Sequence, residues 1–168
     1  GKISSSNDTL QTSLPSDAQD SGNVWGFFIG DNIAKNYGVE LRYQKFATSK
    51  ISFTQYNEYS PAPDFPAFSI NSETDSYSLL GILRIPVNNI IELYSVIGGA
   101  YTQRKDPLAN VSGIGGVFGG GTRIIFNNHF SSSLEFDFVT GNAPINLRPA
   151  ESYLPFLTSL NYKLIYSF

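Results

Sequence analysis

A two-residue alternation of apolar and polar side chains runs through most of this chain, and it constrains the fold more than any other feature. In 37–46 one face is Tyr37, Val39, Leu41 and Tyr43, and the other is Gly38, Glu40, Arg42 and Gln44. In 76–85 Tyr77, Leu79, Gly81, Leu83 and Ile85 stand opposite Ser78, Leu80, Ile82 and Arg84. In 91–101 Ile91, Leu93, Ser95, Ile97, Gly99 and Tyr101 stand opposite Glu92, Tyr94, Val96, Gly98 and Ala100. In 118–126 Phe118, Ile124 and Phe126 oppose Gly119, Gly121 and Arg123; in 130–138 Leu134, Phe136 and Phe138 oppose Ser133, Glu135 and Asp137. The last segment sets Leu160, Tyr162, Leu164, Tyr166 and Phe168 against Asn161, Lys163, Ile165 and Ser167. A period of two is the signature of strands, whose successive side chains point to opposite faces. No helical period appears at any length, and 31–36 reads as a tight turn, with one turn of helix as the alternative.

Seven strands are expected, at about 23–33, 37–47, 75–86, 90–103, 113–126, 129–140 and 156–168, each bounded to a few residues. Their connectors alternate in length. Residues 34–36, 87–89 and 127–128 are short turns; 1–22, 48–74, 104–112 and 141–155 are long and hold most of the Pro, Asn and Ser. Short turns at one end and long loops at the other is the layout of outer-membrane barrels.

The charges separate the readings. The polar faces carry the cations Arg42, Arg84, Arg123 and Lys163 and the anions Glu40, Glu92, Glu135 and Asp137, four against four. A solvated sheet face needs no such balance. A narrow closed interior does, because an unpaired buried ion costs several kcal/mol. The apolar faces carry essentially no charge along their middles, where Lys or Arg would cost about 2–4 kcal/mol at a bilayer midplane. Tyr37, Tyr43, Tyr77, Tyr101, Phe126, Tyr162, Tyr166 and Phe168 recur at the ends of those faces, as an interfacial girdle would. The competing reading is a soluble barrel or sandwich with the apolar face inward, a ligand carrier for example. Glycines on the charged faces (Gly38, Gly98, Gly119, Gly121) speak against it, since they make room for long ionic side chains.

Composition closes off other classes. Charged residues are 15% and aromatics 14%, with 11 Lys and Arg against 14 Asp and Glu and no basic cluster, so nucleic acid is not an expected partner. There is no Cys and one His, which removes disulfides, thiolate chemistry and multi-histidine metal sites. No apolar run reaches the roughly 18 residues of a membrane helix. The sequence opens on Gly1, with no initiator Met, so a mature or trimmed product is expected.

The stretches 24–46 and 115–139, with the terminal 160–168 ending on Phe168, carry a resemblance. They look like the small eight-stranded barrels of the outer membrane protein A (OmpA-like) transmembrane domain family. In that pattern a Gly-rich strand, a short turn and a Leu-Glu-containing strand follow one another, here at Leu134, Glu135, Phe136 and Asp137 and at Glu40, Arg42 and Tyr43. The resemblance spans most of 23–168. It implies an interior of paired ions, outward-facing loops, no wide channel, and a C-terminal strand read by the barrel assembly machinery. Asp31 stands where the family often has a bulky aromatic, and no peptidoglycan-binding domain is expected after Phe168. Barrels of this kind have even strand numbers, so an eighth strand is expected, of which only Gly1, Lys2 and Ile3 remain.

Candidate chemistry is sparse. His129, Phe130 and Ser131 resemble the His-x-Ser of the lipid A deacylase family, but Ser132 replaces that family's Asn and no matching carboxylate follows. The pair also sits on the short-turn side, away from the leaflet that holds lipid A. Glu135 and Asp137, about 7 Å apart on one face, are expected to be salt-bridged. The run 113–121 lacks the Lys-Ser/Thr of a phosphate loop. Loop 48–74 holds Tyr56, Tyr59, Phe65 and Phe68 among several prolines, which are candidates for contact with a partner surface or with lipopolysaccharide.

The expectation is therefore an all-β, eight-stranded antiparallel transmembrane up-and-down β-barrel, one domain over 1–168, placed in the bacterial outer membrane as a multi-pass protein. Its work would be structural and surface-interactive, with neither enzymatic activity nor an open channel, no cofactor and no metal. Its partners would be outer-membrane lipids and lipopolysaccharide, the assembly machinery, and a host or envelope protein met through the loops. A lipid A-modifying enzyme and a small pore are the alternatives.

Overall fold

The computed structural model describes residues 2–4, 17–19, 21–53, 68–107, 110–141 and 154–168. The strands are β1 (Lys2–Ser4), β2 (Asp17–Gln19), β3 (Trp25–Ala34), β4 (Tyr37–Lys45), β5 (Ser49–Phe53), β6 (Phe68–Pro86), β7 (Ile91–Lys105), β8 (Asn110–Ile125), β9 (Phe130–Val139) and β10 (Phe156–Tyr166). All pairings are antiparallel, in the order β1-β10-β9-β8-β7-β6-β4-β3. β5 continues the position of β4 along β6, and β2 lies beside β5. The result is eight strand positions in up-and-down order, curled into a half-barrel.

The alternation in sequence becomes two environments. Leu79 is 60% exposed and its neighbour Leu80 0%; Phe136 is 54% exposed and Glu135 0%. Trp25, Phe27, Ile29, Leu41, Ile97, Leu160 and Leu164 also face outward. So continuous an apolar surface is unsuited to water and suited to lipid. No helix of the described residues is long and apolar enough to cross a membrane. Inside, the filling is partly apolar: Phe46, Leu80, Ala100, Val117, Val139 and Leu157 form one buried cluster. It sits beside the ionic residues of the interior, so the inward face is mixed rather than uniformly polar.

Two of the short turns close by the same chemistry. Asn88 Oδ1 accepts from the backbone N–H of Ile90 and Ile91, each at 2.8 Å. Asn127 Oδ1 accepts from His129 and Phe130, each at 2.9 Å. An Asn side chain that mimics a backbone acceptor is what tightens such reversals.

The opposite end differs from the sequence expectation. β6 begins at Phe68 and β7 runs to Lys105, so part of the segment expected as loop 48–74 is strand, as are Ser49–Phe53. β6 has 19 residues, against the roughly 9–11 that span a bilayer. The extra length projects beyond the lipid, where no apolar face is needed. Cross-strand pairs such as Glu73↔Lys105 and Thr74↔Arg104 hold the ladder there, and hydrophobic alternation does not report them.

Candidate functional site

The interior is built from the inward positions of β4, β9 and β10. Register sets Glu40, Arg42 and Gln44 on β4, Glu135 and Asp137 on β9, and Asn161 and Lys163 on β10 toward the same space. Arg42 is its hub. Its Nε donates to Glu40 Oε1 at 2.7 Å and its Nη1 to Asp137 Oδ2 at 2.6 Å, while Nη2 lies 2.8 Å from Glu135 Oε1. Lys163 Nζ donates to Glu135 Oε2 at 2.8 Å and to Glu40 Oε1 at 3.1 Å. Asn161 Nδ2 completes Asp137 Oδ2 at 2.7 Å. All five ions are buried, so these contacts stand in for hydration, while Asp137 Oδ1 has no hydrogen-bond partner among the described residues.

Glycine makes the space. A Cβ at Gly119 would come within 2.5 Å of Asp137 Oδ1 and 2.9 Å of Val96 Cγ2. The carboxylate occupies the volume that a side chain on β8 would have filled.

A second, looser layer lies toward the short turns. Arg123 Nη1 is 3.6 Å from Glu92 Oε2 and its Nε donates to Ser131 Oγ at 2.9 Å. Arg84 donates from Nη1 to Asn32 Oδ1. A third group, at the long-loop end, was missed by the sequence reading. Arg104 is 1% exposed, and its Nε donates to Asp106 Oδ2 at 2.8 Å. Continuing the alternation of 92, 94, 96, 98, 100 and 102 by one more step would have found it. Among the described residues the inward cations are then Arg42, Arg84, Arg104, Arg123 and Lys163, and the inward anions are Glu40, Glu92, Asp106, Glu135 and Asp137.

The girdle candidates lie on the outer face. Tyr43 packs against Trp25, Phe27 and Tyr77, and its hydroxyl donates to Asp75 at 2.9 Å. Tyr166 meets Phe130 and Phe168 edge-on. Tyr37, Tyr101, Phe126 and Tyr162 are all exposed on that side. Tyr56, Tyr59 and Phe65 lie outside the described residues, as does the side chain of Phe68, whose backbone opens β6.

His129 and Ser131 do not form a nucleophile–base pair. The His129 ring stacks on Tyr166 and its Nδ1 lies 3.0 Å from the Ser167 carbonyl. Ser131 Oγ is held by Arg123, inside. Among the described residues no three His, Asp or Glu side chains are placed to hold a metal ion.

Among the described residues β3 pairs with β4, and β10 meets β1 at Phe156–Thr158. Between β3 and the rest of β10 lies a slot of about 1010 Å³. It is bridged from within by side chains: Lys163 to Glu40, Lys163 over the Phe28 ring at 5.0 Å, and Gln44 Nε2 to Asn161 Oδ1 at 3.2 Å.

Apolar outside, ionic and glycine-spaced inside, with short turns at one end and long hairpins at the other: these define an outer-membrane β-barrel. The chain belongs to the family of OmpA-like transmembrane domains, whose sequence model matches residues 1–168. No curated protein matches it in a sequence search.

Proposed function

We propose that this barrel resides in the bacterial outer membrane as a multi-pass structural and surface-interaction protein, neither an enzyme nor an open channel. The observation that carries the reading is the Arg42-centred cluster. It ties β4 to β9 and β10 across the interior, where a conducting path would have to run. An eight-stranded barrel has an interior that side chains just fill, and here they are locked by charge. Lipid and lipopolysaccharide meet the aromatic outer face, the assembly machinery reads β10, and the long connections, that between β5 and β6 above all, contact a host or envelope protein.

Planar-bilayer recording tests the central claim: the purified barrel should give no steady large conductance, and a stable open level would overturn it. Membrane fractionation with heat-modifiable gel mobility tests location and closure together. Deleting 55–68 should weaken surface adhesion while leaving the folded band intact; unchanged adhesion removes the loop partner. His129→Ala and Ser131→Ala should leave lipid A acylation as it was, and a change would restore the enzyme reading.

A further inference from the structure

The interior changes character along its length. Toward the short turns, the side chains of Arg123 and Glu92 are 17% and 20% exposed. Deeper lie the five buried ions around Arg42. Beyond them, toward the long loops, comes the apolar cluster of Phe46, Leu80, Ala100, Val117, Val139 and Leu157. It draws one residue from each of six adjacent strand positions, from the end of β4 through β6, β7, β8 and β9 to β10. Val24, just before β3, packs against it. A core on one wall would take several residues from the same strand. One from each strand makes a collar round the lumen, and an eight-stranded barrel is narrow enough for side chains to fill it.

Chain direction sets the collar's level. Phe46 follows Arg42 and Gln44 on the way to a long connection, and Val139 follows Glu135 and Asp137. Leu157 precedes Ser159, Asn161 and Lys163 on the way back, and Val117 precedes Gly119, the glycine that makes room for Asp137. On each of these strands the collar residue lies on the long-loop side of the ionic layer. On β6 and β7 the inward positions past Leu80 and Ala100 include hydroxyls: Ser76, Thr74 and Ser72, and Thr102, which is paired with Ser76. The oxygens of these four side chains are buried and have no hydrogen-bond partner among the described residues. A hydroxyl in contact with water is hydrogen-bonded by it, and one shut away without a partner bears the full cost of desolvation. This end of the lumen is therefore packed dry. A constriction lined by apolar side chains excludes ions by refusing water.

We propose that the collar is a hydrophobic seal, a dry septum that shuts the lumen from the long-loop side and leaves the ionic cluster approachable only from the short-turn side. The seal rests on the closed-barrel reading above and adds to it a barrier separate from the Arg42 cluster.

The chain has no Cys, so single introduced thiols report access without background. Ser159 is the inward position between Leu157 of the collar and Asn161 beside the ions, and it is buried. The protein is reconstituted in phosphatidylcholine vesicles, and a membrane-impermeant methanethiosulfonate is added outside. Gln103→Cys, exposed beyond the lipid, and Asn128→Cys, in a short turn, report which end faces the reagent. With the long loops outward, Ser159→Cys is expected to label far more slowly than Gln103→Cys. Val117→Thr/Val139→Thr keeps the shape of the collar and sets two hydroxyls into it. That pair should raise the labelling rate of Ser159→Cys about tenfold, the scale of two buried methyl groups lost. Labelling of Ser159→Cys as fast as Gln103→Cys with the collar intact would overturn the proposal, because the ions would then be the sole barrier. A rate that Val117→Thr/Val139→Thr leaves unchanged would overturn it too. Steady conductance through the unaltered protein is a different failure, that of the closed-barrel reading itself. Dryness has its own readout. Thr74→Val/Thr102→Val removes two unpartnered hydroxyls at constant shape, so the urea midpoint should rise; a lower or unchanged midpoint would show those hydroxyls to be solvated and would sink the seal.

Discussion

The two inner ionic layers nearest the middle and the short turns use the same residue types and reach different states. In the central layer Glu40, Arg42, Glu135, Asp137 and Lys163 meet at 2.6–3.1 Å, with side chains no more than 7% exposed. In the layer toward the turns, Arg123 and Glu92 stand 3.6 Å apart with side chains 17% and 20% exposed. The difference is access to water. Near the mouth an ion keeps part of its hydration and can tolerate an approximate partner. At mid-depth hydration is gone, so each carboxylate needs a cation and an additional donor, as Asp137 has in Arg42 and Asn161. Depth, more than charge, decides how much a given ion pair matters.

The sharpest way to break this contrast is to remove the hub. Arg42→Ala leaves Glu40, Glu135 and Asp137 with Lys163 alone. Breaking a buried pair by deleting one partner costs about 3–5 kcal/mol. Urea titration in vesicles, followed by heat-modifiable mobility, should show a correspondingly lower midpoint or no compact band at all. A loss below about 1 kcal/mol, the size of an exposed pair, would show that the central cluster is hydrated after all.

The neighbouring residue tests the other face. Leu41 is paired with Ile29 and Leu79 in the middle of the outer surface. Leu41→Arg should cost about 2–4 kcal/mol by the same titration, the penalty for Arg on a lipid face at mid-depth. One residue apart, removal of an arginine and introduction of one are both predicted to destabilise. In a soluble barrel of the opposite polarity Leu41→Arg would put a charge into the core and Arg42→Ala would be nearly silent.

How much of this was legible in the sequence follows from what creates alternation. Leu41 and Arg42, or Glu135 and Phe136, face different media, and the sequence records that directly. Lipid and a narrow interior impose opposite demands on successive residues. Where only one medium acts, the record fades. Lys45–Glu73 and Thr74↔Arg104 extend the hairpins beyond the bilayer, where both faces tolerate polar residues, so the strand ends and the Arg104–Asp106 pair went unseen. Individual partners were also hidden. That Arg42 bridges β4 to β9, 95 residues away, depends on shear and curl, which no local spacing encodes. The apolar filling at Leu80, Val117 and Val139 went unrecognised as a cluster for the same reason, since these positions come from three strands far apart in sequence.

Packing gives a smaller, intermediate test of the central layer. Gly119→Ala places a methyl against Asp137, the Phe136 carbonyl oxygen and Val96, and Asp137 cannot withdraw without leaving Arg42. Overpacking of this kind costs about 1–3 kcal/mol. The loss should shrink in Gly119→Ala/Asp137→Asn if the strain runs through the ionic contact. Equal loss in both backgrounds would assign it to Val96 and the backbone instead.

The smallest expected effect is at the mouth, and it decides whether depth is the right variable. Arg123→Ala removes the contact to Glu92 and the bond to Ser131. Its partner Glu92 stays partly solvated, so the loss should be about 0.2–1 kcal/mol, as for exposed pairs, and should diminish further as salt is raised. The same change in salt should leave the Arg42→Ala difference nearly unaltered, since buried pairs are screened far less. If Arg123→Ala were as costly as Arg42→Ala and equally blind to salt, the two layers would be one network of uniform dryness. The contrast between them would then have to be traced to the number of partners, not to water.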